Sequence, residues 1–133
     1  MDPLQNPEEK LKVYDTHNVY YMSIHQMKMA FNIGHQSIVY DADDNKFTCS
    51  MSVNKIYKRF QHHAQLLKIN KRELINMDYL STVKERCLTS KFIRLIGGHT
   101  LSTGQKVGRR INRLIKRYKI KRWIELKKLK RIR

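Results

Sequence analysis

Half of the positive charge of this chain is confined to its last 28 residues. Residues 106–133 hold 14 of the 28 Lys and Arg residues against a single acid, Glu125, while residues 1–105 hold the other 14 against 10 acids. Most of the net charge of +17 therefore sits on one short segment. Ile111, Leu114, Ile115 and Tyr118 recur on one helical face, and Arg109, Arg110, Arg113, Lys116 and Arg117 take the rest. The spacing predicts a helix whose apolar face closes a core and whose other sides meet solvent. Beyond Tyr118 the apolar positions Ile120, Trp123, Ile124, Leu126, Leu129 and Ile132 keep no single stripe, so the helix is expected to continue, kink or give way to a flexible arm. The expected organisation is a compact domain over residues 1–105 and a basic helix or arm over 106–133.

A sequence pI near 10.1 asks for a polyanionic partner: DNA, RNA or an anionic membrane surface. With 41% apolar residues the 133-residue chain affords a core, so it is not disordered as a whole. Cys49 and Cys87 stand in no metal-ligand spacing and read as structural thiols. Met1–Lys12 has three acids and no apolar core, unlike a signal peptide, and no apolar run is long enough to span a bilayer. A cytoplasmic location is expected, or the host cytoplasm for a viral protein.

Leu11–Tyr14 and Val19–Met22 are β-branched and aromatic about Asp15-Thr16-His17-Asn18, the pattern of a short hairpin. From Ser23 the pattern turns helical through Met27, Ala30 and Phe31, and Asn32 and Gly34 break it. Gln36–Tyr40 and Phe47–Ser50 flank an Asx-rich turn at Asp41–Lys46, either as a second hairpin or with Ser37–Tyr40 still helical. Ser52 is the expected N-cap of a helix through Val53, Ile56, Tyr57, Phe60, Ala64 and Leu67. Asn70 with Glu73 has the form of a capping box and restarts a helix through Leu80. Ser81 or Thr82 opens another, ended by Gly97-Gly98. Thr100–Thr103 reads as a loop. The fold class expected is α+β and helix-dominated, with a β-containing N-terminal part, three or four helices after Ser52 and the basic C-terminal helix or arm.

Ser23–Ile38 is the most informative run. A helix-turn-helix needs apolar residues inside its first helix, a tight turn, an apolar residue after it and one inside the second helix. Met27 and Phe31, Asn32, Ile33 and Ile38 fill those places. His35, Gln36 and Ser37 then open a recognition helix, where Gln and Ser can bond base edges or phosphates. The run resembles the helix-turn-helix of bacterial and phage DNA-binding proteins. With Lys12-Val13-Tyr14-Asp15 ahead of it, residues 12–38 also resemble the small modular DNA-binding domains appended to phage homing nucleases. That resemblance implies base contacts from His35, Gln36 and Ser37, and a regulator from a phage or mobile element. One position departs from the pattern: Lys28 stands where alanine is usual in the first helix. Without the motif, the same residues read as a helix between two hairpins.

Phosphate contacts are expected from Arg109, Arg110, Arg113, Lys116, Arg117, Lys121 and Arg122. Tyr118 and Trp123 interleave the charges and either stack on unpaired bases or pack inward. Signals for catalysis are weak. His62 and His63 are adjacent, a set of His63, Asn76 and Glu85 lacks the strand pair of metal-dependent nucleases, His99 reads as a loop residue, and Gly104-Gln105-Lys106 lacks the spacing of a phosphate loop. The expectation is a non-enzymatic, cofactor-free DNA-binding regulator. An RNA-binding or ribosome-associated protein, and a protein that docks on a transcription enzyme with a DNA-binding tail, are the alternatives. A membrane partner is disfavoured, because the apolar residues past Tyr118 scatter round the helix.

Overall fold

The computed structural model describes residues 10–80, 92–97, 100–102 and 105–131. The chain divides into two compact units, Met1–Tyr79 and Leu80–Arg133.

Among the described residues the first unit is a seven-stranded antiparallel sheet with one short α-helix. β1 (Lys10–Tyr14) and β2 (Val19–Ser23) form the first hairpin, as the sequence predicts. A single 3-10 turn, Ile24–Gln26, leads into β3 (Met27–Ile33). β4 (Gln36–Asp41), β5 (Lys46–Cys49), α1 (Val53–Phe60), β6 (Leu66–Asn70) and β7 (Glu73–Asn76) follow, then a second 3-10 turn, Met77–Tyr79. The strand order is β2-β1-β5-β4-β3-β7-β6. Leu11, Val13, Ala30, Val39, Leu66 and Leu74 bring apolar side chains from five strands onto one face. Val53, Ile56 and Phe60 of α1 complete that core at i, i+3 and i+7. Ser52 caps α1 as expected, its hydroxyl accepting from the Lys55 N–H at 3.4 Å. The second unit holds a two-stranded ribbon, β8 (Phe92–Arg94) with β9 (Thr100–Ser102), and α2 (Gln105–Arg131).

The helix-dominated expectation is overturned: among the described residues there are nine strands and two α-helices. The start signal at Ser23 is real but short-lived. Its hydroxyl accepts from the His25 N–H at 3.3 Å and the Gln26 side chain accepts from the Ser23 N–H at 3.1 Å, a capping box that opens only a three-residue turn. Met27 onward is then held extended by pairing on both sides, to β4 and to β7. Of the two readings of Ser37–Tyr40, the hairpin is the one adopted.

The helix expected from Val53 to Leu67 stops at Phe60, and Leu66 already belongs to β6. The capping-box pattern at Asn70 and Glu73 is a hairpin turn. Asn70 accepts from the Arg72 N–H at 2.8 Å and donates to the Glu73 carboxylate at 3.0 Å, so the same local chemistry closes a turn between strands. Residues 81–91, Gly98, His99 and Thr103 lie outside the described residues. Phe92–Arg94 is strand where helix was expected, and Thr100–Ser102 is strand where a loop was expected. Gly97 does adopt positive φ, at 95°, but after a strand rather than a helix.

Candidate nucleic-acid interface

α2 is continuous over 27 residues, about 40 Å at the α-helical rise. Ile111 and Ile115 are buried, Tyr118 is half-buried, and Leu114, expected beside them, is exposed. Arg110, Arg113, Lys116, Arg117, Lys121 and Arg122 are all exposed, as expected of phosphate ligands. Arg109 lies on α2, and its side chain is outside the described residues. Glu125, the one acid of the segment, lies 3.6 Å from Arg122. Within three turns the helix thus sets Arg110, Arg113, Lys116 and Arg117 around one side, with no carboxylate among them.

The other basic surface lies at the end of the sheet where β3 turns into β4. Gly34 takes φ of +63° at the first central position of this two-residue turn, with Ile33 paired to Gln36. Positive φ at that position alone is the II′ geometry, which suits glycine. Asn32 ties the turn to its neighbours. Its side-chain oxygen accepts from the Val53 N–H at 2.8 Å, its amide donates to the Lys71 carbonyl at 3.3 Å, and its backbone N–H donates to the Arg72 carbonyl at 2.8 Å. The β3–β4 turn, the β6–β7 turn and the N-terminus of α1 are therefore held at one end. Lys55, Lys71 and Arg72 are exposed there, and Lys68 donates to the Asn54 side chain at 2.8 Å. Glu73 is the acid at this end.

The opposite end is acidic. Asp41 organises the expected Asx turn, accepting from the N–H groups of Asp43 and Asn45 at 3.0 and 2.8 Å. Burial, and then the charges of Asp78, Asp41 and Asp43, raise the Tyr79 hydroxyl above its ordinary range. Lys28 is buried on β3 with its ammonium on the Asp44 carboxylate. The residue that departs from the helix-turn-helix pattern thus ties β3 to the exposed Asx turn between β4 and β5.

The three residues expected to open a recognition helix are dispersed by the strand. His35 is exposed in the turn, Gln36 is exposed on β4, and Ser37 is buried on the other face with its hydroxyl donating to the Met51 carbonyl at 2.8 Å. Ser37 is removed from the candidate contacts. Lys55, Lys71 and Arg72 were missed because nothing in their sequence spacing joins them; only the strand pairing does. Asn76 is buried with its amide on the Ile24 and Met27 carbonyls, so it is a structural residue rather than a metal ligand. Glu85 lies outside the described residues. Among the described residues no group of three acids, histidines or cysteines is placed to hold a metal ion. No helix among them is long and apolar enough to cross a membrane.

No family model matches the sequence, and no curated protein matches it. Among solved structures, the chain is similar to the LytTr DNA-binding domain of a protein described as a methyl-accepting/DNA response regulator from Bacillus cereus. The TM-score is 0.66 at 8% sequence identity, over 80% of this chain and 96% of that chain. At that identity the likeness is one of fold. It replaces the helix-turn-helix resemblance, since residues 12–38 fall on four strands and one 3-10 turn.

Proposed function

We propose that this protein is a non-catalytic, cofactor-free regulator that binds duplex DNA in the cytoplasm. The observation that carries the reading is the cationic side of α2, where Arg110, Arg113, Lys116 and Arg117 are exposed in a segment with a single acid. Such a surface binds phosphates with strong salt dependence, because each neutralised phosphate releases counterions. DNA is favoured over RNA because a solved structure of similar fold is a DNA-binding domain. A folded β-turn with exposed side chains also suits the major groove, which is about 12 Å wide and admits a two-stranded ribbon. In this reading His35 and Gln36 approach base edges from the β3–β4 turn, Lys55, Lys71 and Arg72 hold the adjoining backbone, and α2 is by itself a further phosphate-binding surface.

A competition shift assay at near-physiological salt tests it, with duplex DNA, single-stranded DNA and a structured RNA of equal phosphate count. Duplex DNA is expected to compete at least ~10-fold better than the RNA, a margin well below the roughly 10³-fold or more by which specific contacts exceed charge alone. Equal competition by the folded RNA would sink the DNA reading and leave only a polyanion binder.

A further inference from the structure

α2 carries a second apolar face that its charged composition hides. Nine residues at about 100° each bring Ile120 to the side of the helix opposite Ile111, and Ile124 to the side opposite Ile115. On the side of Ile111 and Ile115 the second half of the helix carries Lys119 and Arg122, and the apolar Leu126 there is 52% exposed, so the buried stripe is interrupted. It is replaced, half a turn round, by Ile120, Trp123 and Ile124, which are 60%, 57% and 43% exposed. Ile120 and Ile124 line a shallow groove along the helix with Arg117, Lys121 and Lys128 on its walls, and one acid, Glu125, beside them. Trp123 is held beside them by the Lys127 ammonium, 3.9 Å from its ring centroid. A row of apolar residues at i, i+3 and i+4 is the anchor pattern of a helix that meets another helix.

Charge selects among occupants. A second copy would bring its own cations against Lys116, Arg117, Lys121 and Lys128, and the only carboxylate of the segment, Glu125, is already beside Arg122. Duplex DNA satisfies those cations but leaves three large apolar side chains uncovered, and Lys127 covers one face of the indole on which a base would stack. A membrane needs one apolar side along the helix, whereas the exposed apolar residues Leu114, Ile120, Trp123, Ile124 and Leu126 are spread round α2. We infer that the groove from Arg117 to Lys128 is a docking site for an acidic amphipathic helix of a partner protein, its apolar residues on Ile120, Trp123 and Ile124 and its carboxylates on the flanking cations. The inference stands without the DNA reading. Where both hold, Arg117 and Lys121 serve both ligands, so such a partner and DNA exclude one another there.

Trp123 is the only tryptophan, so its emission reports the face directly. The probe is a synthetic helical peptide with leucines at i, i+3, i+4 and i+7 and glutamates elsewhere. The control has the same composition, shuffled so that no two leucines share a face. The patterned peptide is expected to shift Trp123 emission to the blue and to bind the full chain at least ~10-fold more tightly than the shuffled one. Ile120→Asp and Ile124→Gln should each weaken it by at least ~10-fold, with helix content unchanged by circular dichroism. Ile124→Gln adds no charge, so its loss reads the apolar contact alone. Equal binding of both peptides would reduce the site to charge and overturn the inference. A blue shift with vesicles of equal parts phosphatidylglycerol and phosphatidylcholine, but not with the peptide, would assign the face to lipid. A concentration-dependent dimer abolished by Ile124→Gln would assign it to a second copy. Duplex affinity measured on the same variants keeps the outcomes separate: Ile124→Gln is expected to leave it within about 2-fold, since no phosphate ligand is altered.

Discussion

Phe60 illustrates how one side chain joins sequence pattern to stability. It ends α1, is fully buried, and meets strand residues from both halves of the sheet in one core. Phe60→Ala should therefore cost about 3–5 kcal/mol, as for other buried aromatic deletions. A denaturant melt showing a loss below about 1 kcal/mol would mean that the core does not centre on this ring. Asn76 tests a different term. Its buried amide holds the Ile24 and Met27 carbonyls on either side of the 3-10 turn, at 3.3 and 3.0 Å, and its side-chain oxygen accepts from the Asp78 N–H at 2.9 Å. Asn76→Leu keeps the bulk and leaves these backbone groups without that partner, so a loss of about 1–3 kcal/mol is expected. Cys49, the buried thiol of β5, is pushed above the ordinary thiol range by burial. A raised value means less thiolate at neutral pH, so alkylation of Cys49 should be slow in the native protein and rise sharply in denaturant. Peptide mass spectrometry at matched reagent concentration would show otherwise if the thiol were open.

The β3–β4 hairpin shows what turns do for this fold. An added Cβ at Gly34 would meet nothing within 4 Å, so any cost of substitution there comes from the backbone alone. Gly34→Ala should lower stability by about 1–2 kcal/mol because of its positive φ, and Gly34→Val by more. An unchanged melting midpoint in both variants would show that the turn relaxes freely. The same hairpin marks the limit of what was legible in the sequence. The β1–β2 hairpin, the cap at Ser52, the Asx turn at Asp41 and the buried Phe60 all follow from local chemistry, and all are present. The strands β3, β6 and β7 do not. Met27-x-x-Ala30-Phe31 and Val53 to Leu67 place apolar residues at helical spacing, but a short apolar run fits a strand as well. Pairing partners distant in sequence decide the matter: Ala30 lies opposite Val39 on one side and Leu74 on the other. Serine and asparagine signals carry the same ambiguity, since a side chain that can cap a helix can equally close a turn, as Ser23 and Asn70 do here. The cationic stripe of α2 was legible because helix periodicity and charge are both local. The cluster of Lys55, Lys71 and Arg72 was not, because only the sheet assembles it.

At the scale of the whole molecule, charge and readout are separable, and the separation is the sharpest test of the DNA reading. The chain carries its cations in excess on α2 and at one end of the sheet, while the other end holds Asp41 and Asp43 in the turn after β4 and Asp78 after β7. Phosphate contacts give affinity without sequence preference, and base contacts give preference at little cost to non-specific binding. Arg113 stands on α2, exposed, and serves as a phosphate ligand in the proposed reading. Gln36 stands next to the tip of a hairpin, exposed, with an amide that can pair an adenine edge. A preferred duplex must first be selected from random sequences. Against it, Gln36→Ala should reduce discrimination from random duplex by about 1–3 kcal/mol while leaving random-duplex affinity nearly intact. Arg113→Ala should weaken both duplexes alike and reduce the slope of log affinity against log salt by about one unit. Ser37→Ala provides the internal control. Its hydroxyl is buried on the Met51 carbonyl, so its loss should lower stability by about 1 kcal/mol and leave discrimination unchanged. If Ser37→Ala alters base preference as Gln36→Ala does, the two effects come through the sheet and not through contact with bases. If Gln36→Ala and Arg113→Ala behave alike, the β3–β4 turn is one more phosphate ligand, and the sequence preference of the protein must be sought elsewhere at that end, at Lys71 and Arg72.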